Sequence, residues 1–213
     1  MLSVAGVWRD AARIYRALFR RTVVVAALVF AVVCFAETVG PWPVVLLSVV
    51  GTCVVQGALI EAVDMERERR GGSVGTLVRA AWKRAGALLG VSLLTGLGVG
   101  LGLFLLVVPG LILFTRWSLA VPAVMLEGRT PRDAMRRSGE LVKGHGWQVF
   151  AVFVTVTAAA LGASFLLERL LAGPLGQWAA LTIAATLTTP FAAHALNVVY
   201  YRIVDPGRPV LQA

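Results

Sequence analysis

From Ala85 to Leu126 the chain runs for 42 residues with a single charged side chain, Arg116. Drawn as one helix at about 1.5 Å per residue, that stretch is roughly 63 Å long, about twice a 30 Å hydrocarbon core. A segment so apolar belongs in lipid, and one so long must turn back on itself. Pro109-Gly110 is the strong breaker near its middle, so the spacing predicts two membrane spans, 85–108 and 110–126. Applied to the rest of the chain, the same reasoning predicts spans at 22–38, 42–63, 147–167 and 178–200. No stretch is left for a separate soluble catalytic domain.

Each pair of apolar stretches follows a short basic segment with helical periodicity, at 3–21, 73–84 and 131–143. In the first, Val4, Val7, Trp8, Ala11, Ile14, Tyr15, Leu18 and Phe19 form one stripe, with Arg9, Arg13, Arg16, Arg20 and Arg21 largely off it. In the second, Ser73 is placed to cap, and Val74, Leu77, Val78, Ala81 and Trp82 form the stripe beside Arg79, Lys83 and Arg84. The third opens with Thr130-Pro131-Arg132-Asp133: an N-cap, a proline at the first helical position and an acid able to reach back. Asp133 with Arg137 and Arg136 with Glu140 are pairs four apart, and Gly144 supplies the stop. Helices of this kind are expected in the head-group layer, with Arg9, Arg13, Arg16, Arg79, Lys83, Arg132, Arg136 and Lys143 reaching lipid phosphate. The expected fold is all-α: one membrane domain over 1–213, six transmembrane helices as three hairpins, each preceded by a cytoplasmic amphipathic helix. Arg9-Asp10-Ala11 and Arg132-Asp133-Ala134 repeat at a constant offset that also brings Arg20 onto Lys143, as duplication of such a unit predicts.

The formal charge is +9, and eighteen of the twenty basic residues lie in 1–21, 64–84, 127–147 and 202–213. Those segments share one side of the expected topology, and basic residues in short loops mark the cytoplasmic side, so both termini are expected inside. A basic chain suggests nucleic acid, but this distribution instead reads as topogenic charge with attraction to anionic phospholipids. Trp8, Trp82 and Trp147 fall at the inner interface of this scheme and Trp42 and Trp178 at the outer one, with Trp117 the exception. The start mimics a cleaved signal, yet its basic region is long and amphipathic, so an uncleaved anchor is expected. Cys34 and Cys53 fall within spans at different depths and read as two buried thiols. Two Lys against eighteen Arg, with abundant Ala, Gly and Val, suit a GC-rich bacterial genome and so a bacterial cytoplasmic (inner) membrane.

Arg116 is the costliest residue in the chain, several residues into the fourth span, with Glu37 as its candidate partner in depth. It reads as half of a structural ion pair, as an arginine snorkelling outward, or as a site for an anionic solute or lipid phosphate. Glu61, His194 and Asn197 have similar expected depth, with Gln56 above them, and suit interhelical hydrogen bonds or a polar path. Gly86 with Gly90, Gly96 with Gly100 and Gly98 with Gly102 stand four apart and suggest close helix packing, with a re-entrant or flexible pore helix as the alternative. No catalytic, cofactor or metal site is expected. A phosphate-binding loop and a zinc pair on one helix face are missing, and His145 and His194 stand 49 residues apart.

The stretch PGLILFTRWSLAVPAVMLEGRTPRDAMRRSGELVKGHGWQVF resembles a bacterial membrane-domain family. That family is found ahead of some glycerophosphoryl diester phosphodiesterases, and also alone as uncharacterised integral membrane proteins. Pro109, Gly110, Arg116, Pro122, Glu127, Gly128, Ala134, Arg137, Ser138, Leu141, Lys143 and Gly144 carry the likeness. The resemblance implies a helical membrane domain of undefined activity. It does not import the phosphodiesterase reaction, which belongs to a separate soluble barrel. The expected role is a non-enzymatic membrane scaffold or accessory protein, whose partners are anionic phospholipid or a membrane or cytoplasmic protein. The rival is a small-solute or lipid transporter using Arg116.

Overall fold

A computed structural model describes the backbone of residues 3–37, 41–70, 72–170, 174–207 and 210, with side chains described for these except 28–37, 41–48, 174–182, 184 and 185. The described residues form nine α-helices and no strand: α1 (Val4–Glu37), α2 (Pro41–Arg67), α3 (Val74–Lys83), α4 (Ala85–Leu105), α5 (Val107–Trp117), α6 (Ala120–Glu127), α7 (Pro131–Val142), α8 (Gly146–Leu170) and α9 (Pro174–Val204). Helix is the expected outcome for apolar segments in lipid, where each backbone N–H and C=O must be satisfied within its own strand of chain. Three stretches among the described residues are long and apolar enough to cross a membrane: Ala85–Leu105, Val107–Glu127 and Gly146–Leu170. The other expected spans, 22–38, 42–63 and 178–200, each include residues whose side chains lie outside the described set, as do Glu37, Cys34, Trp42 and Trp178.

Several expected boundaries move. The first basic segment and the span after it are one unbroken helix, α1, because Arg20-Arg21-Thr22-Val23 contains no breaker. The turn in the long apolar run comes at Leu106, three residues before Pro109. Leu106 is extended (φ −158°, ψ 134°), and the proline takes a place in the first turn of α5, where a missing N–H costs nothing. A second interruption, at Ser118 and Leu119, separates α5 from α6. Pro122 supplies its cause, since a proline in the first turn of α6 leaves the carbonyl four residues earlier without a donor.

Where the sequence rules are local, the structure follows them. Thr130 Oγ1 accepts from the Asp133 N–H at 3.4 Å and donates to the Asp133 carboxylate at 2.7 Å. Ser73 Oγ accepts from the Thr76 N–H at 3.4 Å. Gly128 and Gly144 take positive φ, +65° and +86°, at the ends of α6 and α7.

Among the described residues, buried apolar side chains gather in two clusters. Val7, Ala11, Ile14 and Leu18 of α1 pack with Val55, Leu59 and Val63 of α2 and Val198 and Val199 of α9. A second cluster joins Ile60 of α2, Leu88 and Val91 of α4, Ala120, Ala123 and Val124 of α6 and Ala134 of α7. Much of the apolar stripe of the first basic segment is therefore covered by protein, from α2 and α9. Trp8 packs there too: its ring lies 5.0 Å from Phe191 and its Nε1 donates to Thr155 Oγ1 at 3.1 Å. Trp82, placed on the buried stripe of α3, is 63% exposed, and Trp147 is 77% exposed. Leu97, Leu101, Phe104–Val108, Leu161 and Phe165 on α4, α5 and α8 are also exposed, as side chains facing lipid would be.

Candidate functional site

The last turn of α9 ties the packed half together. Tyr200, Tyr201 and Arg202 are consecutive, so they point about 100° apart around the helix. Each reaches a different carboxylate. The Tyr200 hydroxyl donates to Glu127 Oε1 at 2.6 Å, at the end of α6. The Tyr201 hydroxyl donates to Asp64 Oδ1 at 2.8 Å, on α2. Arg202 Nη2 meets Asp10 Oδ2 at 2.6 Å, on α1. The Arg67 guanidinium lies 4.2 Å from the centre of the Tyr201 ring and pairs with Asp205 at 2.6 Å. Burial, and then the Asp64 carboxylate, push the Tyr201 phenol up from its ordinary value, which keeps it a donor.

Glu127 is the most connected carboxylate in this network. Besides Tyr200 it accepts from Arg137 Nε at 3.1 Å and from Arg129 Nε. Its hydrogen bond holds the Arg129 guanidinium above its ordinary value. The expected pair of Asp133 with Arg137 is not formed, because Arg137 is drawn across to Glu127. Arg136 lies 3.9 Å from Glu140 and 3.8 Å from Asp133. Next to Glu127, Arg84 Nη1 donates to the carbonyls of Val124, at 2.9 Å, and of Met125. A cation thus covers the exposed acceptors at the C-terminal end of α6, where the helix dipole favours it.

Ser138 repairs the break between α5 and α6. It is fully buried; its hydroxyl donates to the Arg116 carbonyl at 2.8 Å and accepts from the Leu119 N–H at 3.1 Å. The guanidinium of Arg116 lies across Gly139: a Cβ there would come within 2.9 Å of Arg116 Nε. Arg116 is exposed, and no carboxylate of the described residues pairs with it. The side chain of its expected partner, Glu37, lies outside the described residues.

No hydrogen bond links His194 or Asn197 to Glu61 among the described residues. His194 and Asn197 are fully buried one turn apart on α9, and none of their four polar side-chain atoms has a hydrogen-bond partner among the described residues. Tyr15 packs edge-on at 6.4 Å from His194. Glu61 is half-buried and has Asp64, Arg70, Arg84 and Glu68 as its electrostatic neighbours. Gln56 is half-buried one turn above it. The glycines divide. Gly90 abuts Pro131, Gly98 abuts Trp117, and Gly102 abuts Gly110, while Gly86, Gly96 and Gly100 have nothing within 4 Å. Spacing alone could not separate the two faces of α4, since both carry glycines four apart. Arg9, Arg13, Arg16, Arg79, Lys83, Arg132, Arg136 and Lys143 are all exposed. Cys53 is buried with its Sγ 3.2 Å from Ser92 Oγ. Among the described residues no group of three or more His, Cys, Asp or Glu is placed to hold a metal ion.

The Tyr200-Tyr201-Arg202 clamp and the Ser138 bridge escaped the sequence reading. The clamp had one available signal, a tyrosine pair followed by arginine where an apolar helix ends, the place for amphipathic rings and cations. The bridge had none, because it depends on which way α7 folds back.

A family model described as the membrane domain of glycerophosphoryl diester phosphodiesterase matches residues 91–200, which is 110 of the 213 residues. No curated protein and no solved structure matches the chain. The matched region begins in α4 and ends on Tyr200, so it contains the Ser138 bridge and both ends of the Tyr200–Glu127 contact. By this match the chain belongs to the family of the membrane domain of glycerophosphoryl diester phosphodiesterase.

Proposed function

We propose that the protein is a non-enzymatic, multi-pass membrane scaffold or accessory protein whose basic cytoplasmic face engages anionic lipid or a partner protein. In this reading it is a bundle of helical hairpins in a bacterial inner membrane with both termini in the cytoplasm. One observation carries the reading. The acidic side chains Asp10, Asp64, Glu127 and Asp205 are taken up by internal partners. Arg9, Arg16, Arg79, Lys83, Arg132 and Lys143 stay exposed and take no part in those contacts. Internal pairing therefore leaves a surplus of positive charge on the outside, on the side that basic residues mark as cytoplasmic.

The test is lipid retention by the detergent-purified protein, offered phosphatidylglycerol and phosphatidylcholine in equal amounts. Retained lipid is expected to be enriched in phosphatidylglycerol, and the enrichment to fall with added salt and in the variant Arg9→Gln, Arg16→Gln, Arg79→Gln. Equal retention of both lipids at low salt would remove the lipid half of the proposal.

The transporter reading keeps one supporting observation, the buried and unpartnered His194 and Asn197. Solute flux in proteoliposomes, lost on Asn197→Leu, would favour it.

A further inference from the structure

The connection between α4 and α5 differs from the other two connections on the non-cytoplasmic side. Those carry Glu37 and Trp42, and Glu168, Arg169 and Trp178, residues suited to an aqueous interface. From Gly96 to Phe114, nineteen residues around Leu106, there is no polar side chain. The tip is also exposed: Phe104 is 89% and Leu106 67% accessible. A turn reaching water would place bare Leu105, Leu106, Val107 and Val108 there, against the hydrophobic effect.

The tip is also too low. Phe114 of α5 packs on Phe153 of α8, with ring centres 4.3 Å apart. Along α5 the tip lies eight residues beyond that contact, about 12 Å. Along α8 the helix continues seventeen residues to Leu170, about 25 Å. The α4–α5 tip thus stops about 13 Å short of the charged end of α8. Arg116 gives a third, independent sign. It lies ten residues from Leu106, about 15 Å, or half of a 30 Å core. Were the tip at the far surface, this exposed cation, unpaired with any carboxylate among the described residues, would sit at mid-membrane, the most expensive depth.

We propose that α4 and α5 form a re-entrant hairpin that enters the bilayer from the cytoplasmic side, turns at Leu106 near the midplane and returns, leaving Arg116 at the phosphate level of the inner leaflet. Two hydrogen bonds close part of the turn's backbone. The Leu106 N–H donates to the Gly102 carbonyl at 3.0 Å, and the Leu106 carbonyl accepts from Gly110 at 3.4 Å. Pro109 brings no N–H to be left without a partner, and Gly102 against Gly110 brings the two helices together at the tip. Its lipid partner is the cytoplasmic leaflet alone. The hairpin starts and ends on one side, so the sidedness of every other segment is unchanged, and α1, α2, α8 and α9 are left to cross. This inference rests on the membrane-bundle reading above and replaces its central pair of spans.

Single-cysteine proteins on a Cys34→Ala, Cys53→Ala background test it in native membranes, with a membrane-impermeant maleimide. Arg169→Cys is the outer reference and Arg79→Cys the inner one. Leu106→Cys and Val108→Cys are expected to react from neither side, about tenfold or more slower than the reference on each side, and to react fully after denaturation. A fluorophore attached at 106 is expected to be quenched most by lipids spin-labelled deep in the acyl chain. Labelling of 106 or 108 from outside at the Arg169→Cys rate, or strongest quenching from a head-group label, overturns the hairpin. Failure of the two references to label from opposite sides overturns instead the bundle reading on which it rests.

Discussion

Glu127 shows how one side chain organises the packed half of this molecule. Its carboxylate receives Tyr200, Arg137 and Arg129, so Glu127→Ala leaves two cations and a phenol without their acceptor. The expected loss is about 1.5–3 kcal/mol, the worth of a charged hydrogen bond, read as a lower melting temperature in detergent. An unchanged melting temperature would mean that water replaces the carboxylate at no cost. His194 and Asn197 carry the opposite expectation. Buried polar atoms without partners cost about 1–3 kcal/mol each, so Asn197→Leu, of similar shape, is expected to leave stability unchanged or raise it. A clear fall would show that Asn197 has a partner in the membrane. Neither residue's environment was readable from sequence. Glu127 stood out only among the residues of the family resemblance, and His194 with Asn197 shared no more than an expected depth with Glu61.

At the scale of elements, local rules were legible and long-range ones were not. The capping of α7 by Thr130 and the stops at Gly128 and Gly144 follow from chemistry within a few residues. The periodicity of α1 was equally clear, but a 3.6-residue stripe does not say whether lipid or protein covers it, and here α2 and α9 do. Pro109 marked the turn only to within three residues, since a proline is as acceptable just after a break as at it. The α5–α6 break is bridged by Ser138. Ser138→Ala leaves a buried backbone N–H and carbonyl without that partner and is expected to cost about 1–3 kcal/mol. Hydrogen exchange is expected to rise at Leu119 and its neighbours first; exchange unchanged there would contradict the bridging role. The α9 clamp predicts a division of labour. Tyr201→Phe is expected to loosen the last turns of α2, and Arg202→Gln the first turns of α1, each seen as faster exchange in the named helix alone. Equal loosening of both helices by either variant would show that the three contacts act as one.

For the whole molecule, composition and charge were enough to indicate an all-helical membrane domain, and the family match agrees. The number of crossings was harder to read, because hydropathy reports how apolar a segment is and not how deep its turn lies. The 42-residue run is long enough for two spans, yet an apolar tip, a short reach beside α8 and an exposed arginine argue for a hairpin within one leaflet. What organises every other inference is the sidedness of the basic residues. Fusions of green fluorescent protein and of alkaline phosphatase to each end of the chain test it most directly. The account predicts fluorescence without phosphatase activity at both ends; phosphatase activity at either end would contradict it.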